Sequence, residues 1–300
     1  MNPRLQACGL LLLLSIHWSG KIIAQNPRVM TWVPPYAIEA SQQRLEETYE
    51  GLGPRHGISH LGLQFWTPTK QGGLQYVTRY TPIHDAKVAE FRKWGKRHGV
   101  KILLCVYNGE FGFDWELAST AFDQHRSSFV ETLVQETLRL ELDGIDIDFE
   151  GKGQQEASKA AFLQFLAELS EKLHQHQKEL TVDTFAYKWN APNQSWWQQI
   201  LPLVDGLHVM GYDQTGAEAE GWRSYDFMKA AAGKHAPKLL FGMPSHKNEW
   251  QNQGLQKHLQ WFQQDSSIGL AIWDAQFKNQ AWRTKKTWKT IQQLQKPKMP

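Results

Sequence analysis

The chain has 300 residues, 41% of them hydrophobic, and a formal net charge of +3. That is enough apolar material for one large domain with a full core. It is too little net charge for a dedicated nucleic-acid binder, which would show a basic stripe, and the basic residues that follow Asp274 read as a solvated helix face and tail.

In chain order, Arg4 followed by the apolar run Ala7–Ile16 has the form of a signal peptide. That run is too short to cross a bilayer of roughly 30 Å as a helix. Ile22 and Ala24 form a cleavage pair, so residues 1–24 are expected to be a leader and the mature chain to start near Gln25. Of the two cysteines, Cys8 lies in that leader, which leaves Cys105 without an intramolecular disulfide partner. No later segment has the length and apolarity of a membrane span. The expected destination is the periplasm or the medium.

The remaining chain alternates short apolar runs with amphipathic stretches. Strands are predicted at 29–33, 58–66, 100–107, 142–150, 180–187, 206–212, 239–243 and 268–273. Helices are predicted at 41–52, opened by a Ser41 cap, and at 83–98, 123–140, 158–176, 195–201, 225–232, 255–264 and 280–294. Strict alternation implies a parallel sheet with helical crossovers. Eight such units in this length point to a closed (β/α)8 barrel, which typically takes about 250 residues; an open doubly wound sheet is the rival. Nothing divides residues 25–300 into two domains.

The most informative segment is Leu142-Asp143-Gly144-Ile145-Asp146-Ile147-Asp148-Phe149-Glu150. Period-two alternation puts Asp146, Asp148 and Glu150 on one face and Ile145, Ile147 and Phe149 on the other. Three carboxyls inside a barrel repel one another and lose solvation, which drives at least one pKa up and makes a general acid near neutral pH. A solvated edge and a site for a hard cation are the competing readings. Glu150 ends its strand, on the face where such barrels hold their active sites. Trp32, Gln64 and Trp66 end the first two strands and are candidates to line the same groove, as are Asp183 and Tyr187 on the fifth. Fourteen tryptophans suit barrel filling and stacking on sugar rings alike.

With these residues the chain resembles glycoside hydrolase family 18, the chitinases and endo-β-N-acetylglucosaminidases. The family's Asp-x-x-Asp-x-Asp-x-Glu element is matched by Asp143, Asp146, Asp148 and Glu150, on what the count above makes the fourth strand. Met210-Gly211-Tyr212-Asp213 is similar to its Met-x-Tyr-Asp element, and Trp273 stands where the family places a tryptophan under the cleaved sugar. The third strand departs from the family's Ser-x-Gly-Gly-like run by reading Cys105-Val106-Tyr107-Asn108-Gly109.

The resemblance implies a TIM barrel and a retaining, substrate-assisted hydrolysis of β-1,4-linked N-acetylglucosamine. Glu150 would protonate the leaving oxygen, and Asp148 would bind the acetamido N–H. Asp146 would share a proton with Asp148, and Tyr212 would hold the acetamido oxygen. Met210, Asp213 and Trp273 would contact the sugar. Asp143, out of phase with the other acids, reads as structural. The stretch 243–268 has no room for a large α+β insertion, so an open groove and cleavage within chains are expected. The partner is an oligo- or polysaccharide containing N-acetylglucosamine, no cofactor or metal is required, and a monomer is expected. The alternatives are an endo-β-N-acetylglucosaminidase acting on N-glycans and a chitinase-like lectin without turnover.

Overall fold

A computed structural model of the chain describes residues 27–151, 155–184, 196–210, 226, 228–246, 253–265 and 267–295. The expected leader, 1–24, lies outside the described residues. Nine strands form one sheet: β1 (Val29–Val33), β2 (His60–Pro68), β3 (Leu74–Tyr76), β4 (Lys101–Tyr107), β5 (Gly144–Asp148), β6 (Glu179–Thr184), β7 (Gly206–Val209), β8 (Leu239–Pro244) and β9 (Gly269–Trp273). All except β3 pair in parallel, and β1 pairs with both β2 and β9. The sheet is therefore closed, with eight parallel strands and helices around it: a single (β/α)8 barrel.

Closure creates two apolar compartments. The larger lies between strands and helices and takes Ile145, Ile147 and Phe149 from β5 and its end, packed with residues such as Phe122, Phe162 and Phe165. The smaller fills the barrel interior with Met30, Trp32, Leu103, Cys105, Leu240 and Ala271, and Trp273 leans on it. Space there is tight. A Cβ on Gly62 would stand 2.6 Å from Trp32 Cδ1, so Gly62 is what lets the indole lie inside. The end of the barrel opposite the strand C-termini is tied by Glu179, which pairs with Arg28 at 3.7 Å, His60 at 3.1 Å and Lys101.

Several local expectations are corrected. The first helix is Ile38–Glu46, and Ser41 is buried within it rather than capping it. The chain leaves β1 through Pro34 and Pro35, and the turn closed by the Ala37 N–H on Pro34 O starts the helix three residues early. It also stops early, because Tyr49 and Leu52 bond each other around Glu50 and Gly51, which have φ of 49° and 87°. Such a paired left-handed turn cannot continue a helix. The predicted helix 123–140 is broken into Trp115–Ser119, a wider π turn at Thr120–Gln124, and Arg126–Arg139. The closing segment splits into a 3-10 turn, Gln280–Trp282, and a helix, Lys285–Leu294, whose cap is Thr284 Oγ1 accepting from the Thr287 N–H. The short ribbon β3, antiparallel to β2, was not expected. The fourth barrel strand ends at Asp148, two residues before Glu150.

Gly62→Val is expected to push into Trp32 and destabilise the fold by about 1–3 kcal/mol. A melting temperature equal to that of the parent would contradict the crowded-interior account.

Candidate active site

The strand C-termini bring four acids together. Asp146 and Asp148 point into the barrel from β5, Asp183 enters from β6, and Glu150 follows β5. Asp146 is sealed from solvent and Asp148 is 2% exposed, whereas Glu150 is half-buried.

Asp146 sits at the centre of the network. Trp32 Nε1 donates to its Oδ2 at 2.8 Å and Thr181 Oγ1 donates to its Oδ1. His208 Nδ1 lies 3.4 Å from Oδ1. Burial works to raise this carboxyl, but the His208 hydrogen bond and charge, with Thr181 and Trp32, outweigh it and hold the group below its usual range. Asp146 is therefore the fixed negative charge of the interior. Its oxygens are engaged by these neighbours, so its link to Asp148 is through charge.

Asp148 has the opposite fate. Burial, then the charge of Asp146, push it up to about 7, against the opposing hydrogen bond from Gln64 Nε2 to Oδ2 at 2.8 Å. Its Oδ1 is buried without a hydrogen-bond partner. A buried acceptor left open is costly unless a ligand supplies the donor. Glu150 is driven well above the carboxylate range, first by burial and then by the charges of Asp148 and Asp183. That direction favours the protonated form, which is the one a general acid needs.

Glu150 lies beyond the last rung of the β4–β5 ladder, and a side chain completes the pairing. Asn108 Oδ1 accepts the Glu150 N–H at 2.9 Å, while Asn108 Nδ2 donates to Glu150 O at 2.7 Å and to Asp114 O at 2.9 Å. Asn108 is 1% exposed. It is a functional candidate that the sequence reading passed over, although it stood in the segment that departs from the family run. His208 was also passed over. Its signal was available, since it shares strand parity with Met210 at the end of β7.

The other candidates divide. Trp32 and Gln64 reach the carboxyls directly, although Trp32 lies sealed in the barrel rather than along an open groove. Trp273 ends β9, half-buried, 6.0 Å from Trp32. Met210, 6% exposed, follows β7, and its N–H donates to Thr184 O. Asp143 Oδ2 accepts the Ile102 N–H at 2.8 Å and ties β5 to β4. Tyr107 is buried at the end of β4, opposite Asp148 in register.

Trp66 is a correction. A bulge between Leu63 and Trp66 changes the parity of β2, and Trp66 turns outward. There it packs on Tyr76 at 5.2 Å, and its indole N–H donates to Glu136 at 3.3 Å. It lines a cleft of about 750 Å³ outside the barrel wall, away from the carboxyls. Tyr187, Tyr212 and Asp213 lie outside the described residues.

Beside Asn108 a second cleft, of about 550 Å³, runs along Thr67, Glu110, Phe111 and Asp114. Phe111 is 75% exposed and Phe113 51%, on the loop that follows β4. Among the described residues, two triples could bring ligand atoms within 4.8 Å of one another: Cys105–Asp148–Asp183 and Asp146–Asp183–His208. In the second, Asp146 Oδ1 takes the Thr181 hydroxyl and His208 Nδ1 pairs with Asp183 Oδ1. It is built as a hydrogen-bonded network rather than a cation cage. The Cys105 thiol is pushed up by burial and by Asp146, Asp148 and Asp183, and so stays protonated.

Sequence comparison matches residues 34–298 to the family profile described as "Glycosyl hydrolases family 18". Among solved structures, a chitinase from Chromobacterium violaceum is similar at 15% identity and TM-score 0.67, over 89% of this chain and 98% of that one. The spore cortex-lytic enzyme SleL of Bacillus megaterium is similar at 13% identity and TM-score 0.69, over 91% and 75%. A chitinase from Bacteroides thetaiotaomicron is similar at 14% identity and TM-score 0.64, over 90% and 96%. At these identities the structural likeness speaks to the fold.

A carboxyl raised by its surroundings weakens the fold once it must ionise. The contribution of Asp148 is fully present below its unfolded pKa and is lost as pH rises through about 7. Asp148→Asn should therefore stabilise the fold more at alkaline than at acidic pH, by up to a few kcal/mol, read as a larger gain in melting temperature at alkaline pH. A pH-independent difference would contradict the raised carboxyl.

Proposed function

The chain belongs to glycosyl hydrolases family 18 and is a glycoside hydrolase, and from that premise we propose that it cleaves β-1,4-linked N-acetylglucosamine oligosaccharides with retention, using the substrate's own N-acetyl group. The observation that supports this best is the pairing of an open buried acceptor, Asp148 Oδ1, with a neighbouring acid, Glu150, whose surroundings favour its protonated form.

In this reading the acetamido N–H of the bound sugar donates to Asp148 Oδ1. The acetamido oxygen is thereby turned toward the anomeric carbon. As that oxygen attacks, Glu150 passes its proton to the leaving glycosidic oxygen, and a cyclic oxazolinium ion forms. Asp148, ionised at this stage, stabilises the positive charge, and Asp146 adds a fixed negative charge behind it. Glu150, now a carboxylate, takes a proton from water, which opens the ring from the face the leaving group vacated. Two inversions give net retention. Tyr212, Asp213, Met210 and Trp273 retain the substrate roles implied by the family resemblance.

The open groove is supported by the short β8–β9 connection, whose described part is the helix Gln253–Gln264. The exposed Phe111, Phe113 and Tyr36 follow strand C-termini and offer flat apolar faces near the site. Export to the periplasm or the medium, through a leader at 1–24, and action as a monomer are parts of the same proposal.

The test is an assay of the purified protein on chitotetraose and on a high-mannose N-glycopeptide, with product anomers followed by NMR. The expected result is cleavage of chitotetraose with the β-anomer formed first. Glu150→Gln should still bind the oligomer while losing at least about 100-fold in kcat. Cleavage of the glycopeptide alone would move the enzyme to N-glycans, and an α-anomer formed first would sink the mechanism. Asn108→Ala, which frees the Glu150 backbone, should lower kcat by about 10-fold or more with a folded protein. An unchanged kcat would show that Glu150 is held by other means.

A further inference from the structure

Strands β2 and β3 form a ribbon with two faces. Residues directly opposed in an antiparallel pair put their side chains on the same side. The pair Trp66–Tyr76, with Leu74 two residues on, therefore shares one face, and the pair Thr67–Gln75 shares the other. The first face looks across the cleft of about 750 Å³, outside the barrel wall, to the helix Arg126–Arg139. The second borders the cleft of about 550 Å³ beside Asn108, whose carboxamide holds Glu150. Exposed Gln75 lines both clefts, so they meet at the ribbon.

The outer cleft has a fixed floor. Tyr76 and Leu74 are half-buried and apolar, and Trp66, 1% exposed, backs them with its ring 5.2 Å from that of Tyr76. The Trp66 indole N–H donates to Glu136 at 3.3 Å, and the Tyr76 hydroxyl donates to Asp85 at 2.8 Å. Arg139 joins the two carboxylates, at 2.8 Å from Glu136 and 3.1 Å from Asp85, and so locks both aromatic rings. On the helix, Ser128, Thr132 and Gln135 recur at helical spacing along the opposite wall. From Ser128 to Arg139 that wall runs about 16 Å at 1.5 Å per residue, which suits an extended ligand.

The charges on the wall are compensated. Glu131 pairs with Lys172 at 2.9 Å, and Glu136 with Arg139. The ligand that fits is therefore neutral, with apolar faces for the floor and hydroxyls and amides for the hydroxyl and carboxamide wall. A chain of N-acetylglucosamine has that chemistry, and the volume lies in the range of sites for small ligands. The cleft between this wall and the catalytic carboxyls is suited to the same chain. Thr67 Oγ1 is buried there without a hydrogen-bond partner, and Phe111 stands 75% exposed along it.

Resting on the reading of the chain as an enzyme that cleaves N-acetylglucosamine chains, we propose that the outer cleft between Tyr76 and the helix Arg126–Arg139 is a non-catalytic binding site for the same polysaccharide. It holds a distant stretch of a chain whose scissile bond lies at Glu150. It makes and breaks no bond, and it adds a second point of attachment for long substrates.

The experiment compares wild type, Thr132→Trp, which fills the outer cleft, and Gln135→Ala, which removes an amide from an exposed position on its wall. The substrates are 4-methylumbelliferyl chitobioside, whose two sugars occupy only the catalytic cleft, and soluble glycol chitin. On the chitobioside, kcat/KM should be the same for all three proteins. On glycol chitin, KM should rise in both variants, by about five-fold or more in Thr132→Trp, as the second attachment is lost. Folded variants with the wild-type KM on the polymer would overturn the proposal. A second readout needs no activity. When ¹⁵N-labelled Glu150→Gln is titrated with chitohexaose, the amides of Ser128, Thr132 and Gln135 should shift saturably, and adding Thr132→Trp should abolish the shifts at Ser128 and Gln135. Shifts confined to the strand C-termini would overturn the proposal. If the wild type cleaves neither substrate, the proposed function fails, and this titration still decides whether the outer cleft takes the sugar.

Discussion

Asp146 is a carboxyl with no path to water, and much of the surrounding structure serves to keep it charged. An isolated carboxylate in such a place would protonate. Here three strands answer it: β1 with the Trp32 indole N–H, β6 with the Thr181 hydroxyl, and β7 with His208. The indole fits only because β2 carries Gly62 across from it. Once Asp146 is held as an anion, the charges beyond it follow. Asp148 is raised by burial and then by Asp146, and Glu150 by burial and then by Asp148 and Asp183. The row thus grades from a carboxyl held below its usual range in the interior to one held above it at the rim.

The grading depends on the barrel as a scaffold. Period two along β5 puts the acids on the inner face and Ile145 and Ile147 on the outer, so one strand both anchors the wall and delivers the chemistry. At the rim the ladder runs out before Glu150. The Asn108 carboxamide then does what the next backbone rung would have done, with one donor and one acceptor placed on the Glu150 peptide groups. An acid on an untethered loop would sample many positions. This one is held by two bonds from the neighbouring strand, and its side chain remains half-buried at the mouth of the site.

The barrel, its strand order and the acid row were legible in the sequence because they follow from periodicity, which is a local property. Asp146, Asp148 and Glu150 announced themselves as charges on a strand otherwise made of isoleucine, glycine and phenylalanine. Trp66 was misplaced because a bulge shifts parity without leaving a glycine or proline to mark it. Ser41 was misplaced because an internal serine and a capping serine look alike until the turn after Pro34 is known. Asn108 and His208 were missed for another reason. Each matters through a partner on a different strand, 42 residues away for Asn108 and Glu150, and 25 for His208 and Asp183. Such pairings are a product of closure, and no window along one strand contains both members.

Stability and chemistry draw on the same residues here. A barrel filled only with the likes of Met30, Leu103 and Leu240 would leave no acceptor unsatisfied. This one keeps Asp148 Oδ1 without a donor and drives Asp148 and Glu150 against their natural ionisation. Both features weaken the folded state and are useful only to a ligand that brings an N–H and an oxygen in need of a proton. The ion pairs around Glu179, at the far end of the same strands, stabilise the barrel where no ligand acts. The strand ends thus divide the work: the closed end contributes stability, and the open end holds groups whose unfavourable state is relieved by the substrate.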